Sequence, residues 1–571
     1  MRQLLVFTLA IVFGANAYSA QTQKPNAGDD SQWWKQAVIY EIYPRSFGDS
    51  NGDGIGDLKG IIDHLDYLQG LGVDAIWMTP FYPSPQVDFG YDISDYRAID
   101  PQYGTMADFD RLVAEAKKRN IRIINDLVLN HTSDQHPWFL ESKASRTNPK
   151  ANWYVWADGK PGGQPPNNWI SLFGHSAWQF DPQRNQYYYH EFYIQQPDLN
   201  WRDNDMKNAM WNVVRFWMDK GVSGFRLDAI TSLFEDPLLR NEKVLPGKND
   251  YGDPIVTREY TDNLPEVNTV LQQLRQVTDK YSGSVLIGET YVQSASDLRK
   301  LYGTPDHPEL QLPMDTQFGF LNHLSASGFR QKLVAAETEL GGHTPLFVFD
   351  NHDNDRSWKR YGDGQHDDQI ARLVATLLLT PRATALLYYG QEIGLKEDTP
   401  KRKEDVKDPI GIKGWPKEKG RDGERTPMQW NGDTHAGFST ARKTWLPIQA
   451  DYRTRNVATE SREPDSLLNY YKTLIRLRKE NPALRDGEFA IVNPNDNNVL
   501  SFLRKTNDGH AVLVAVNCSP ESQTVSYNLQ AQGINGAGLK TLISSFRKEG
   551  QAEKLSQFTL PAYGSYVGEI Q

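Results

Sequence analysis

The segment Gly224-Phe225-Arg226-Leu227-Asp228-Ala229 has the pattern of a short apolar strand that ends in a carboxylate. Side chains alternate along a strand, so Arg226 and Asp228 point to the same side. The guanidinium favours the anionic form of the aspartate, which could then act as a nucleophile at neutral pH. The same two residues could also form a purely structural ion pair. The residues at the ends of the other strands are needed to choose between a catalytic and a structural role.

From residue 37 onward, short β-branched or aromatic strands alternate with amphipathic helices. Helices are predicted at about 57–71, 106–118 and 208–220. This alternation is typical of a parallel sheet covered by helices, and eight strands are the number that closes a (β/α)8 TIM barrel of the α/β class. The eight strands are predicted at 37–42, 75–78, 121–128, 224–228, 285–288, 310–314, 346–349 and 385–389.

Three parts of the chain depart from this alternation. Segment 132–202 is too long for a simple connection and is dense in Trp, Tyr, Asn, Gly and Pro, which predicts a small domain B inserted after strand three. The barrel would then comprise 32–131 and 203–482, with an irregular charged insertion at about 396–451. Period-two strands in the remainder predict a carboxy-terminal antiparallel β-sandwich at 483–571.

The chain of 571 residues carries a formal net charge of -10 at pH 7. Binding to nucleic acid or to an anionic membrane surface needs a basic face, so neither is expected as a partner. Cys518 is the single cysteine, which excludes an internal disulfide. The expected partner is a small-molecule substrate, and we expect a monomer or a weak homo-oligomer.

The amino terminus has the pattern of an export signal: Arg2, an apolar run at 4–13, and small residues up to Ala20. We therefore expect residues 1–20 to be a signal peptide and the mature protein to be periplasmic or secreted. The apolar run is too short to span a membrane, and no other stretch is long enough.

Acidic and histidine side chains follow several of the predicted strands. In a barrel of this kind catalytic groups lie at the carboxyl ends of the strands. Carboxylates held close together cannot all ionise freely, so one of them should keep its proton and serve as an acid. A nucleophilic carboxylate and a protonated one about 5 Å apart are the arrangement of retaining glycoside hydrolysis. The residues concerned are Asp126 on strand three and His131 after it, Asp228 at the end of strand four, Glu289 after strand five and Asp353 after strand seven.

Four of these segments resemble the signature regions of the α-amylase superfamily of glycoside hydrolases. They are DLVLNH at 126–131, GFRLD at 224–228, IGET at 287–290 and FDNHD at 349–353, and they match in order and spacing. The resemblance implies the barrel, the inserted domain, the β-sandwich and retention of configuration. It also implies that Asp228 is the nucleophile, that Glu289 is the acid/base, that Asp353 holds ring hydroxyls, and that the sugar is bound by His131, Arg226 and His352.

Three further segments resemble the oligo-1,6-glucosidase and α-glucosidase branch: QPDLNW at 196–201, DFGY at 88–91 and RDGERTPMQW at 421–430. The resemblance implies that Asp88 and Arg425 grip the terminal glucose and that Tyr91 stacks under its ring. Phe173, in the inserted segment, is a further candidate for substrate binding. A site that grips one terminal sugar predicts exo-cleavage.

Linkage preference is predicted from the residue after the nucleophile. Members specialised for α-1,6 bonds carry Val there, whereas this chain has Ala229. The smaller side chain widens the entrance and favours α-1,4-linked substrates such as maltose. An oligo-1,6-glucosidase, an α-glucosyltransferase or a sucrose isomerase remains an alternative on the same scaffold, and a non-catalytic sugar-binding protein is the rival from another class.

Oxygen-bearing residues occupy alternate positions in a Gly-rich loop after strand one. Such ligands suit Ca²⁺, or less well Mg²⁺, and the loop resembles the single metal site of the oligo-1,6-glucosidase branch. A turn without metal explains the same residues. We expect a structural Ca²⁺ bound by the side chains of Asp49, Asn51, Asp53 and Asp57 and by the carbonyl of Ile55.

Overall fold

The computed structural model describes residues 30–536 and 538–571, so the predicted signal peptide lies outside the described residues. Eight parallel strands close into a barrel in which each strand pairs with its neighbours in the chain and the first pairs with the last. The predicted fold class is therefore confirmed. The barrel strands are Val38–Ile42, Ala75–Met78, Arg122–Val128, Gly224–Asp228, Val285–Gly288, Leu312–Asp315, Leu346–Val348 and Thr384–Tyr388.

Backbone sterics fix the start of the fourth barrel strand. Gly224 has φ +152°, and a Cβ at this position would lie 2.0 Å from the carbonyl oxygen of Val285 on the neighbouring strand. Only glycine permits so close an approach of the two strands. The strand that carries Arg226 and Asp228 is thereby held in register with the strand that leads to Glu289.

Helices cover the outside of the barrel. The helix predicted at 57–71 is broken into two at His64, whose Nδ1 lies 2.7 Å from the carbonyl oxygen of Gly60. The imidazole thus occupies the acceptor that a continuous helix would use for the backbone N–H. The helices of eight or more residues are Met106–Lys118, Pro137–Ala144, Asn204–Asp219, Glu266–Thr278, Ala326–Glu339, Asp367–Leu379 and Leu467–Glu480. Shorter helices lie at Pro44–Phe47, Leu58–Asp63, Leu65–Leu71, Ala295–Lys300, Thr316–Gly319, Ser357–Tyr361, Pro409–Gly414, Val457–Glu460 and Pro482–Asp486.

Two long connections, one after strand three and one after strand four, lie above the carboxyl end of the barrel. The one after strand three contains a three-stranded antiparallel sheet of Trp156–Ala157, Gln186–Tyr189 and Trp178–Asp181. The one after strand four forms a hairpin, Val244–Lys248 and Pro254–Val256, that the sequence did not predict. Asp253 of the hairpin accepts a 2.7 Å hydrogen bond from the backbone N–H of His175, so the two connections touch.

The chain ends in antiparallel β-structure. Six strands form one sheet and two form a second, which agrees with the predicted antiparallel domain. Within the described residues, none of the helices combines the length and apolar character needed to cross a bilayer. In chain order the strands of the larger sheet are Glu488–Ile491, Val499–Lys505, Ala511–Asn517, Gly538–Ser544, Ala552–Lys554 and Ser565–Ile570, and those of the smaller sheet are Gln523–Val525 and Phe558–Leu560.

Candidate active site

A cavity of about 240 Å³ lies at the carboxyl end of the barrel. Asp228 is the last residue of strand four, Glu289 directly follows strand five, and Asp353 follows strand seven, so three strand ends bring three carboxyls to one cavity. The other residues that line it are Asp88, Tyr91, His131, Phe173, Phe192, Ala229, Tyr291, Ile410 and Arg421.

Arg226 lies beneath the cavity and joins three carboxyls. Its Nη1 donates to Oδ1 of Asp228 over 2.6 Å and to Oδ2 of Asp126 over 3.1 Å. Its Nη2 lies 2.9 Å from Oε2 of Glu289, which also accepts a 2.9 Å hydrogen bond from the backbone N–H of Ala229. One buried cation therefore faces three acids, which leaves local negative charge in excess.

Burial and the excess of negative charge raise the pKa values of Asp228 and Glu289. Burial raises the pKa of Asp228 to about 7, because the charge of Arg226 only partly offsets the loss of hydration. Burial likewise raises the pKa of Glu289 to about 7, opposed by Arg226 and reinforced by the charge of Asp228. The expectation that Arg226 would keep Asp228 ionised was thus incomplete. Both pKa values thus lie near neutral pH, where one carboxyl can be ionised while the other keeps its proton.

Asp353 behaves in the opposite way. Burial raises its pKa, but the imidazole of His352 and the guanidinium groups of Arg421 and Arg425 outweigh burial and bring the pKa below its usual range. Its Oδ1 accepts hydrogen bonds from Arg421 over 2.8 Å and from Arg425 over 2.9 Å. Of the three carboxyls at the strand ends, Asp353 is the one that stays an anion.

Asp88 and Arg425, the two residues predicted to grip the terminal sugar, occupy different positions, since Asp88 lines the cavity and Arg425 lies behind it. Arg421, not Arg425, pairs with Asp88, over 2.9 Å, and Arg421 also lines the cavity. Arg425 is only 1% exposed and donates instead to Asp353 and, over 2.7 Å, to the carbonyl of His352. Gln196, in the segment QPDLNW, donates to Asp88 over 3.1 Å and fixes this wall from the other side.

Seven of the ten predicted catalytic and substrate-binding residues line the cavity: Asp88, Tyr91, His131, Phe173, Asp228, Glu289 and Asp353. The remaining three, Arg226, His352 and Arg425, are at most 1% exposed and lie behind it. His352 does not line the cavity but contacts two residues that do: its Nε2 lies 2.7 Å from the hydroxyl of Tyr91 and 3.1 Å from Oδ2 of Asp353.

Sequence reasoning missed several residues of the site. The segment RDGERTPMQW contains two arginines, and the pattern alone could not show which one faces the cavity. Tyr291, 46% exposed, has its hydroxyl 3.3 Å from Oε1 of Glu289 and lies at the mouth. Its position two residues after Glu289 was the available signal. Phe192 lies on an irregular segment and Ile410 on the short helix Pro409–Gly414, and neither position gives a signal in the sequence.

The loop predicted to bind metal consists of successive tight turns. Asp49, Asn51 and Asp53 each accept a hydrogen bond from the backbone N–H two residues later, over 2.8 to 3.1 Å. Asp57 accepts from the backbone N–H groups of Ser50 and Gly60. The donors are all oxygen atoms, which suits Ca²⁺, but the carboxylates are turned toward the loop's own backbone.

The carboxylates of Asp355, Glu397 and Glu424 lie within 4.8 Å of one another and are the one such set in the described part of the chain. The carboxylates of the 49–57 loop are farther apart, so a cation there would have to draw them together. A lysine ammonium group already pairs with two of these three carboxylates of the 355, 397 and 424 set, since Nζ of Lys359 lies 3.0 Å from Asp355 and 2.5 Å from Glu397.

Comparison with known proteins agrees with this geometry. The α-amylase catalytic-domain profile matches residues 41–487, and the maltogenic amylase C-terminal-domain profile matches residues 489–567. A probable α-glucosidase of Rhizobium meliloti (strain 1021) is 41% identical over 555 residues, covering 95% of this chain and 98% of the relative. An oligo-1,6-glucosidase of Heyndrickxia coagulans is 40% identical over 534 residues, covering 87% and 94%.

Solved structures show the same likeness. The structure of an α-glucosyl transfer enzyme is 40% identical, with a TM-score of 0.85 over 94% of this chain and 99% of that one. The trehalulose synthase of Pseudomonas mesoacidophila MX-45 is 35% identical, with a TM-score of 0.83 over 94% and 99%. The chain therefore belongs to the α-amylase family, and it is a glycoside hydrolase.

Proposed function

We propose that the protein is an exo-acting, retaining α-glucosidase that releases glucose from the non-reducing end of short α-glucosides. In this proposal Asp228 attacks the anomeric carbon while Glu289 protonates the leaving oxygen. Glu289 then removes a proton from the water that releases the sugar from Asp228. Asp353 holds sugar hydroxyls near the positive charge of the transition state.

The observation that carries the retaining mechanism is the shared contact of Asp228 and Glu289 with one guanidinium group. This contact favours the short carboxyl separation of a retaining enzyme, about 5 Å, over the longer one that lets a water molecule attack directly. The near-neutral pKa values of the pair supply one ionised and one protonated carboxyl at the same pH.

Exo-cleavage is supported by the salt bridge between Asp88 and Arg421, which closes one wall of the cavity. Arg421 is also bound by Asp408 over 2.7 Å and by Asp353, so the wall is rigid. A polymer cannot pass through a wall of paired charges, whereas the hydroxyls of a terminal glucose can hydrogen-bond to it.

The preference for α-1,4 bonds, as in maltose and malto-oligosaccharides, rests on Ala229, which lines the cavity beside Asp228. Oligo-1,6-glucosidase activity is the first alternative, as in the Heyndrickxia coagulans relative. Transfer or isomerisation is the second, in view of the α-glucosyl transfer enzyme and the trehalulose synthase. The half-exposed ring of Tyr291 beside Glu289 would then meet a sugar acceptor.

Product analysis tests the proposal. Purified protein is incubated separately with maltose, isomaltose and sucrose, and glucose and new oligosaccharides are followed by chromatography. Fast release of glucose from maltose supports the proposal. Preference for isomaltose overturns the linkage and leaves the mechanism intact, whereas lengthened or isomerised products show a transferase. No turnover of any sugar overturns the enzyme function.

We propose further that the loop of Asp49, Asn51, Asp53, Ile55 and Asp57 binds a structural Ca²⁺, with Mg²⁺ as the alternative. The support is its all-oxygen donor set at alternate positions. The test is thermal unfolding of chelator-treated protein with and without added Ca²⁺, with Asp53→Ala as the control variant. A rise in Tm that the variant lacks supports the site, and equal Tm values in both proteins contradict it.

We propose further that residues 1–20 direct export to the periplasm or the medium. We also propose that the protein is monomeric or associates weakly. The support for export is the apolar run beside Arg2. Amino-terminal sequencing of secreted protein and its sedimentation behaviour test the two points.

A further inference from the structure

Glu41 is a buried acid that the mechanism above does not use. It lies on the first barrel strand, is 0% exposed and points toward His352. Its Oε1 lies 2.7 Å from Nδ1 of His352 and accepts a 3.2 Å hydrogen bond from the backbone N–H of the same residue. Its Oε2 has no hydrogen-bond partner among the described residues. A carboxylate in this position would leave half of its charge buried and unpaired.

The other nitrogen of His352 shows where the imidazole proton lies. Nε2 is 3.1 Å from Oδ2 of Asp353 and 2.7 Å from the hydroxyl of Tyr91. Asp353 is an anion held by two guanidinium groups, so it can only accept. The Tyr91 hydroxyl lies 3.1 Å from Oδ2 of Asp126, to which it can donate its own proton. Nε2 must therefore carry a proton to make favourable contacts with both neighbours.

A neutral imidazole has one proton, and if that proton is on Nε2 then Nδ1 is an acceptor. The group that faces Nδ1 at 2.7 Å is Glu41, which can donate only if it is itself protonated. Burial acts in this direction, because it raises the pKa of Glu41 well above its usual value and lowers that of His352 well below. The other charged or titratable groups that act on the pair are Arg226, Asp126, Asp353, Arg421, Arg425 and Tyr388.

We propose that Glu41 is a positioning residue whose carboxyl stays protonated, donates to Nδ1 of His352 and so makes His352 donate through Nε2 to Asp353. The chain Glu41–His352–Asp353 holds one oxygen of Asp353 while Arg421 and Arg425 hold the other. The effect on catalysis rests on the proposed function, since it acts through the role of Asp353 there. The proton positions themselves do not depend on it.

Substitution tests the role of Glu41. Glu41→Gln keeps a neutral donor for Nδ1, so kcat/KM for a nitrophenyl α-glucoside should stay within a few-fold of wild type with an unchanged pH profile. Glu41→Leu removes the donor and should lower kcat by about 10- to 100-fold with a smaller effect on KM. Glu392→Leu is the matched control, since Glu392 is equally buried, also has an unpartnered Oε2, and accepts from the hydroxyls of Tyr40 and Tyr67.

The outcomes separate the possible protonation states. A shifted pH profile in Glu41→Gln would overturn the proposal, because it would mean that Glu41 carries a charge on which His352 depends. Equal losses in Glu41→Leu and Glu392→Leu would overturn it as well, since both would then reflect stability alone.

Neutron diffraction from crystals of the unmodified protein in heavy water gives a direct answer that needs no variant. The proposal predicts a deuteron on Nε2 of His352 and one on Glu41 directed at Nδ1. A deuteron bonded to Nδ1 would overturn it. This result is independent of turnover, so failure of the proposed function would appear as inactivity toward α-glucosides while the deuteron positions still decide the role of Glu41.

Discussion

Arg226 donates from Nη1 to Oδ1 of Asp228 over 2.6 Å, on the same strand and two residues before it. The guanidinium is also shared with Asp126 and Glu289, so it cannot fully neutralise any one of them. Burial raises the pKa values of Asp228 and Glu289, and the divided guanidinium only partly opposes it, so both values lie near 7, where a nucleophile and an acid can coexist.

The first prediction concerns the pH dependence of activity. With two coupled carboxyls of pKa about 7, kcat/KM should be bell-shaped and centred near neutral pH, falling in acid as Asp228 gains a proton and in alkali as Glu289 loses its own. The measurement is kcat/KM for maltose across pH. For Glu289→Gln with a nitrophenyl glucoside, the alkaline limb should be absent. A wild-type profile that keeps rising into alkali would contradict the assignment.

The second prediction concerns stability. Because burial raises the pKa of Glu289, the folded state binds a proton that the unfolded state releases, and stability is lost as pH rises from about 4.3 to about 7. Glu289→Gln should therefore raise Tm at pH values above this window and leave it unchanged below. Thermal unfolding at both ends measures this, with the exposed Glu404→Gln as control. A lower Tm above the window would show that the contact with Arg226 outweighs burial.

The third prediction concerns the grip on the terminal sugar. Arg421→Ala removes the partner of Asp88 and a bond to Asp353, so kcat/KM for maltose should fall by about 10- to 100-fold. Arg402→Ala, in the same irregular segment but 70% exposed, should leave it unchanged. If both variants kept wild-type kcat/KM, the wall of the cavity would have to be sought elsewhere.

The fourth prediction concerns linkage. Ala229→Val should raise the ratio of kcat/KM for isomaltose to that for maltose by about 10- to 200-fold, since a methyl-scale change contributes about 1 to 3 kcal/mol. Ala229 has φ +45°, a conformation that strains a β-branched residue, so total activity should also fall. The ratio is measured because backbone strain should lower kcat/KM for both sugars alike. Ala229→Gly, which is free of strain and smaller still, should not raise the ratio.

The barrel could be predicted because its strands are buried, short and apolar, with each boundary within about two residues of the prediction. The hairpin Val244–Lys248 and Pro254–Val256 could not, because its strands are largely exposed and lack apolar alternation. The break at His64 also escaped, since it depends on a ring–backbone contact and on stacking against Trp430, which is distant in sequence.

The candidate site was predictable as far as strand ends determine it. Asp228, Glu289 and Asp353 meet because parallel strands end at the same edge of a barrel. The choice between Arg421 and Arg425 depends on the path of an irregular segment, and the contact of Glu41 with His352 joins the first strand to the seventh. Neither the position of Arg421 nor the contact between Glu41 and His352 can be predicted from the hydrophobic periodicity of the sequence.

In the proposed mechanism a glucosyl group is transferred to Asp228 and then to water. Mass spectrometry of protein stopped during turnover of a fluorinated α-glucosyl donor, which slows the second step, tests this transfer. We expect one hexosyl group on the peptide that contains Asp228, and none in Asp228→Asn. A label on another residue, or turnover by Asp228→Asn at the wild-type rate, would contradict it.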